Sequence, residues 1–478
     1  MALVLGIDSS TQSTKALLVD ADSGEVVAQG RAPHPDGTSV DPRAWLAAVD
    51  QATEGLLERA EAVAVGGQQH GMVALDEHDV PVREALLWND TRSAAAAEEL
   101  NQELGGPAEA ARLTGSVLVA SITAAKARWM ATHEPENARR TARIVLPHDY
   151  VGHHLAAPGS AWTTDRGDAS GTGWYSPAEN RLLPQVAALA LGHEIELTPI
   201  AEQPQQVVAH TTGGAAMAAG TGDNMAAALG LAMLPGDVSV SIGTSGVAAM
   251  VSEVPTADAT GAVNGFADAT GRFLPLACTL NAARIMDLGA RMLGISHAEL
   301  DQLALQAPPG ANGVVLLPYL DGERTPNRPE ATGVVRGIRS STGREDIARA
   351  CIEGLACSLA DAVAALRAAT GSLGTEPGRI LLIGGGARSE AARRVLPAVL
   401  GHDLLCPQPA EYVALGAAAQ AAWALSGATE PPRWPAAGTV TLQAEPTPQV
   451  LERYRELRDL TAQWCRPSGV DPVVRAQW

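Results

Sequence analysis

Apolar Leu3-Val4-Leu5-Gly6-Ile7 runs into the polar stretch Asp8-Ser9-Ser10-Thr11-Gln12-Ser13-Thr14-Lys15 and out again into apolar Ala16-Leu17-Leu18-Val19. This pattern predicts a strand, a small polar turn and a strand. It returns half a chain later, where Val238-Ser239-Val240-Ser241-Ile242 leads through Gly243-Thr244-Ser245-Gly246 to Val247-Ala248-Ala249-Met250-Val251. Either turn alone reads as an ordinary hairpin loop. Together they suggest a duplicated domain with nucleotide phosphates gripped between the copies, because hydroxyls, backbone N–H groups and one ammonium crowd into a few residues. Asp8, at the first strand end, is placed to face a metal ion.

Between and after the hairpins, strand-like runs (Ala62–Val65, Ile144–Leu146, Val314–Leu317, Ile380–Ile383) alternate with helix-like ones. The helical patterns cover Ala44–Leu57, Ser93–Leu104, Thr123–Thr132, about Thr279–Leu293, Arg344–Thr370, Ser389–Leu400, Ala414–Leu425 and Val450–Trp464. Such alternation predicts an α/β fold. The Pro-Gly turn in Leu234-Pro235-Gly236-Asp237 follows an apolar helical run and precedes the second hairpin. It divides the chain into domains 1–234 and 235–478, with the last helix free to pack back on the first.

Composition narrows the function. At 478 residues one core is not enough, and two or three domains are expected. Aromatics make up 3% against 46% apolar residues, so the interior must be built from Ala, Leu, Val and Ile in fine-grained packing. A formal charge of -19 with no local basic patch argues against nucleic acid and anionic membranes as partners. A nucleotide is compatible only if Mg²⁺ and a few donors offset its phosphates. Of 34 basic residues only Lys15 and Lys126 are lysines, which suggests that each sits where a compact point charge is needed. Cys278, Cys351, Cys357, Cys406 and Cys465 show no metal or disulfide spacing and read as reduced, buried thiols. The N-terminus enters a strand directly and no apolar run reaches the roughly 18 residues of a membrane span, so a cytoplasmic protein is expected.

Three further stretches carry chemistry. Gly220-Thr221-Gly222-Asp223-Asn224 precedes an apolar helical run, making Asp223 either an N-cap or a general base whose pKa the helix end lowers. The paired hairpins favour the base. Gly66-Gly67-Gln68-Gln69-His70-Gly71 and Trp88-Asn89-Asp90-Thr91-Arg92 each follow a strand and offer amides, an imidazole and an indole where α/β sheets bind ligands. A polyol site is one reading; a hydrogen-bonded structural His70 and a core Trp88 are the other. Gly384-Gly385-Gly386-Ala387-Arg388-Ser389 after a strand fits the dinucleotide fingerprint only loosely, and no Gly-Lys-Ser/Thr occurs, which excludes a P-loop.

Taken together these motifs, with Leu146-Pro147-His148-Asp149-Tyr150 and Leu317–Pro326, resemble the FGGY family of carbohydrate kinases, in the fold group of actin, hexokinase and the Hsp70 ATPase. The resemblance runs from the first residues to about Leu425. It implies two duplicated ribonuclease H-like domains around a central cleft and transfer of the γ-phosphate of ATP, with Mg²⁺, to a sugar hydroxyl. By that resemblance Asp223 is the base, Asp8 acts near Mg²⁺, and Gln69, His70, Trp88 and Asn224 meet the sugar. Thr11, Gln12, Lys15, Gly243 and Thr244 then serve the phosphates, while Gly384, Gly385, Gly386, Ala387 and Gly416 border the adenosine. The expected sugar is D-xylulose, phosphorylated at its C5 hydroxyl, with other ketopentoses, pentitols and glycerol as alternatives; a homodimer is compatible. Gln69 stands where family members commonly carry Met, and Ser9-Ser10 replaces a more usual Gly-Thr. A sugar-independent ATPase switch would share both hairpins, and a nicotinamide dehydrogenase is the weaker alternative.

Overall fold

The computed structural model describes residues 2–372, 377–436 and 438–464. Its first sheet begins with the N-terminal hairpin, β1 (Leu3–Ser9) and β2 (Ser13–Asp20), in which Asp8 pairs with Lys15 and Ser9 with Thr14. Antiparallel β3 (Val26–Pro33) comes next, and β4 (Ala62–Gly67) then pairs parallel to β1, with β5 (Ala216–Ala218) parallel beyond it. The order is β3-β2-β1-β4-β5.

The second sheet repeats that plan. Here β6 (Val238–Ile242), β7 (Gly246–Met250) and β8 (Phe273–Thr279) form the antiparallel meander, and β9 (Ile380–Ile383) and β10 (Leu404–Cys406) the parallel extension. Its order, β8-β7-β6-β9-β10, matches the first sheet strand for strand and direction for direction. Asn264–Ala267 and Val440–Leu442 add one strand at each edge. The chain crosses from one sheet to the other between Gly230 and Val238.

Six helices bear on the site and its support: α1 (Thr123–His133), α2 (Pro147–Leu155), α3 (Asp223–Gly230), α4 (Arg344–Ala369), α5 (Tyr412–Ser426) and α6 (Pro448–Thr461). The sequence places α5 in the second domain and leaves the last helix free to return to the first; in the structure it is α5 that reaches over to the first sheet, and the last helix packs on the second half. Helix α5 lies on β1 and β4 of the first sheet and against α3, in a core of Val4, Val19, Ala62, Ala64 and the alanines of α5. Side chains this small let backbones approach closely: a Cβ on Gly6 would collide with Ala414 O, and one on Gly416 with Ala226 O. The alanine-rich, aromatic-poor composition is what makes this contact possible. The last helix, α6, instead packs on the second half, where Arg455 and Arg458 bond Asp361 of α4 at 2.9 and 2.6 Å.

A second difference concerns the helix expected from Thr279. Thr279 ends β8, and the helix starts at Ala283, because Glu323 Oε1 accepts the Leu280 N–H at 2.6 Å and holds the intervening turn extended. Cys351, Cys357 and Cys406 are buried free thiols, Cys278 is half-buried, and Cys465 lies outside the described residues. Among the described residues no helix is long and apolar enough to cross a membrane.

Candidate active site

The parallel strands of each sheet end on the same side as its hairpin turn, and the two sheets bring these ends to one cleft. It is an open cavity of about 820 Å³ that runs from Asp8, Ser10 and Asp223 in the first half to Gly384, Gly385 and Ala387 in the second. Asp8 is almost wholly buried at the end of β1. Burial raises its pKa, against the Ser10 hydroxyl and the Lys15 ammonium that both bond it. Lys15 is committed twice, to Asp8 at 3.3 Å and to Glu411 at 2.7 Å. A phosphate reaching Lys15 must therefore share it with two carboxylates.

Asp223 opens α3, but the cap position belongs to Gly222 and Asp223 caps nothing. Its Oδ1 accepts from its neighbour instead, from Asn224 N at 2.7 Å and Asn224 Nδ2 at 2.8 Å. Asn224 Nδ2 also donates to Gln69 Oε1 at 2.9 Å, so the two strand ends are tied side chain to side chain. A helix N-terminus by itself would lower the Asp223 pKa. The structure corrects that expectation: burial first, and then the charges of Asp8 and Asp168, push it up to about 7. A carboxylate near neutrality is a better proton acceptor than an ordinary aspartate.

His70 and Trp88 divide. The His70 ring packs 5.5 Å from Phe266 of the second half, and its Nδ1 lies 3.1 Å from Gly171 O. A carbonyl only accepts, so Nδ1 carries the proton and Nε2 keeps its lone pair. Trp88 is no core residue, being 44% exposed, and its Nε1–H donates to Thr11 Oγ1 at 2.9 Å. The indole thus steadies the first hairpin turn. Sequence spacing gives no sign of this bond, which joins residues 77 positions apart.

Not every expected nucleotide residue lines the cleft. Gly384, Gly385 and Ala387 do; Gly386 turns its α-carbon to the Ile242 side chain, and Gly416 is enclosed between α5 and α3. Gly416 does not line the cleft; a Cβ there would meet Ala226 O, so it needs to be glycine for helix packing. Thr11, Gln12, Gly243 and Thr244 stand at the hairpin tips beyond the cleft lining, and the second tip is held down by Ala282 N and Ala283 N donating to Thr244 O and Gly243 O.

One cluster has no counterpart among the sequence expectations. His148, at the start of α2, is buried beneath Gly67 and Gly220, where a Cβ on either glycine would strike it. Its Nδ1 donates to Asp168 at 2.6 Å, its Nε2 faces Asp149 at 3.1 Å, and Asp165 lies at 4.0 Å. Asp165 in turn accepts from the Thr221 hydroxyl at 2.7 Å, two residues before Asp223. The sequence signal is present in Pro147-His148-Asp149, yet the partners Asp165 and Asp168 sit on a separate turn.

The donors around Asp8 are hard oxygens: its own carboxylate, the Ser10 hydroxyl, and the Asp223 carboxylate on the same side of the cleft. Among the described residues no group of three or more His, Cys, Asp or Glu forms a self-sufficient metal cage. That set fits Mg²⁺, which typically takes one or two carboxylates and completes its shell with water and substrate phosphates.

Comparison with known proteins agrees with this geometry. The sequence matches the FGGY family of carbohydrate kinases, its N-terminal domain over residues 3–230 and its C-terminal domain over residues 238–425. The xylulose kinase of Streptomyces rubiginosus is 45% identical over 473 residues, covering 94% of this chain and 95% of that protein. That of Escherichia coli K12 is 35% identical over 428 residues, 84% of this chain and 86% of that one. Among solved structures, xylulose kinase from Bifidobacterium adolescentis superposes with a TM-score of 0.89 at 45% identity, covering 96% of this chain and 99% of that one. Plasmodium falciparum glycerol kinase with ADP shares the fold at 17% identity and a TM-score of 0.84, over 98% and 99% of the two chains.

Proposed function

Because the chain belongs to the FGGY family of carbohydrate kinases, we propose that it transfers the γ-phosphate of ATP to the C5 hydroxyl of D-xylulose, giving D-xylulose 5-phosphate and ADP. The observation that carries the reading is Asp223 at the floor of the cleft, with Asn224 and Gln69 on its sugar side and the nucleotide-sized cavity on the other. Asp223 takes the proton of the attacking hydroxyl. Asn224 holds the carboxylate oriented, and its remaining amide capacity, shared with Gln69, meets sugar hydroxyls. His70 offers Nε2 as an acceptor from the opposite wall. Gly384, Gly385 and Ala387 let the nucleotide lie against backbone. Asp8 and Ser10 would hold Mg²⁺, which supplies charge neutralisation for the transferring phosphate.

In a loose phosphoryl-transfer transition state the protein contributes position and charge more than covalent chemistry. Water is the competing nucleophile, so the two sheets must close over the sugar before transfer. The choice of D-xylulose rests on relatives that carry that name at up to 45% identity over nearly the whole chain. A cytoplasmic setting, where ATP is supplied, goes with this reading.

An ADP-release assay across D-xylulose, D-ribulose, a pentitol and glycerol tests the sugar, with Asp223→Asn as the catalytic control. D-xylulose should give the highest kcat/KM. D-ribulose, its C3 epimer, should lose roughly tenfold or more for each hydrogen bond left unpaired. Asp223→Asn should cut turnover ~10²-fold or more while both substrates still bind. A higher kcat/KM for any other sugar rejects D-xylulose and leaves the kinase standing; near-normal turnover in Asp223→Asn rejects the base.

A further inference from the structure

The second lysine of the chain, Lys126, is fully buried in α1, and among the described residues it forms no ion pair. Its ammonium is spent on carbonyls: Nζ donates to His70 O at 3.0 Å and to Ser121 O. Burying an ammonium against neutral acceptors is costly, so the contact must secure something. The same His70 carbonyl also accepts from Thr123 Oγ1 at 3.2 Å, one turn earlier on α1. His70 needs that hold, because its φ of 65° lies in the left-handed region that a residue with a Cβ seldom adopts. Strained backbone of this kind persists only where its surroundings over-determine it.

The ring is fixed from the other end. Gly171 O receives Nδ1–H at 3.1 Å, and a Cβ on Gly171 would collide with the imidazole. Backbone and ring are thus both pinned, with Thr123 Oγ1 within reach of His70 O at 3.2 Å and of Gly171 O at 3.4 Å, and what remains free is Nε2.

We propose that Lys126 is a positioning residue of the sugar site: with Thr123 it clamps the His70 carbonyl and so aims a neutral His70 imidazole, Nε2 accepting, at a substrate hydroxyl. Burial brings the Lys126 ammonium down to about 7, and its charge, while present, works in the same direction. Burial first, and the Lys126 charge after it, push His70 down to about 3, so the ring stays an acceptor throughout the physiological range. An arginine, larger and planar, does not match two carbonyls in a sealed site, which gives this lysine a reason to survive in a chain that otherwise uses arginine. Gln69 and Asn224 then present amides, while His70 adds an imidazole acceptor.

The inference rests on the reading of His70 as a sugar ligand, and a double-mutant cycle separates the two. With D-xylulose and ATP as substrates, Lys126→Met, close to isosteric, should raise the sugar KM about tenfold or more and leave the ATP KM within about twofold. Combined with His70→Ala it should add less than about twofold, because its effect passes through that residue. Thr123→Val removes the neutral donor to the same carbonyl and should act in the same direction with a smaller rise; it carries the cycle if Lys126→Met does not fold. A loss confined to kcat, or losses that multiply in the double variant, overturns the positioning role while His70 keeps its place. An unchanged sugar KM in His70→Ala overturns both.

Discussion

Two candidate site side chains behave differently from what their position along the chain predicts, and in both cases the cause is a neighbour supplied by folding. Asp223 sits at a helix start that should favour its charged form, yet burial and two other carboxylates prevail and bring it near neutrality. Trp88, expected to lie against a sugar, spends its indole N–H on Thr11. Thr11 Oγ1 is then an acceptor for Trp88, which leaves its own proton to donate outward. Replacing Trp88 with Phe keeps an aromatic side chain while removing that bond and part of the indole's volume. The expected outcome is a rise of a few-fold in the ATP KM with the sugar KM little changed, measured by steady-state titration of each substrate; the net value of one hydrogen bond, about 1 kcal/mol, sets the size. A selective change in the sugar KM would return Trp88 to the sugar wall.

At the scale of elements, the contact between α3 and α5 joins the catalytic helix to a segment more than 180 residues later in the chain. It depends on absent atoms. Gly416 faces Ala226 O, and Gly230 faces Tyr412 O, so the two helices meet backbone to backbone with alanines filling the margins. Neither oxygen can swing away as a side chain would, which makes even one methyl group expensive. Gly416→Ala should therefore cost about 3 kcal/mol, seen as a lowered Tm, at the upper end of what overpacking does. It should also lower kcat, since α3 carries Asp223. An unchanged Tm would mean that the helices separate freely and that the contact contributes little.

For the molecule as a whole, the buried His148 cluster sets a dependence of stability on pH. Burial disfavours the imidazolium, but Asp149, Asp168 and Asp165 outweigh it and push His148 up to about 10. Burial also pushes Asp168 up to about 7. Both shifts mean that this cluster holds more protons in the folded protein than in the unfolded chain, so its contribution to stability falls with rising pH. The His148 contribution is complete below its unfolded value near 6.5 and is lost as pH passes through about 10. Lys126, pushed down by burial to about 7, acts in the opposite direction, so the test is the difference in Tm between the wild type and His148→Gln at intervals from pH 6 to 10. That difference should shrink as pH rises; a difference that stays constant or grows would contradict a protonated His148.

Much of this molecule is legible in its sequence because the deciding forces act locally. Alternating apolar and polar positions mark β1, β2, β6 and β7, and the repeated hairpin already implies two copies of one domain. The residues Asp8, Asp223, Gln69, Asn224 and Gly384–Ala387 stand out because strand ends and turns are where backbone groups and short polar side chains become available for chemistry. Tertiary structure alone decided three things. It placed α5 on the first sheet, since an all-round alanine helix carries no periodic face that says which core will receive it. It set Gly416 against the backbone of another helix, where the need for glycine arises from an oxygen on another element. And it set the protonation of Asp223, His70 and His148, because a pKa responds to burial and to charges within a few ångströms, and the charges that matter here come from residues scattered along the chain.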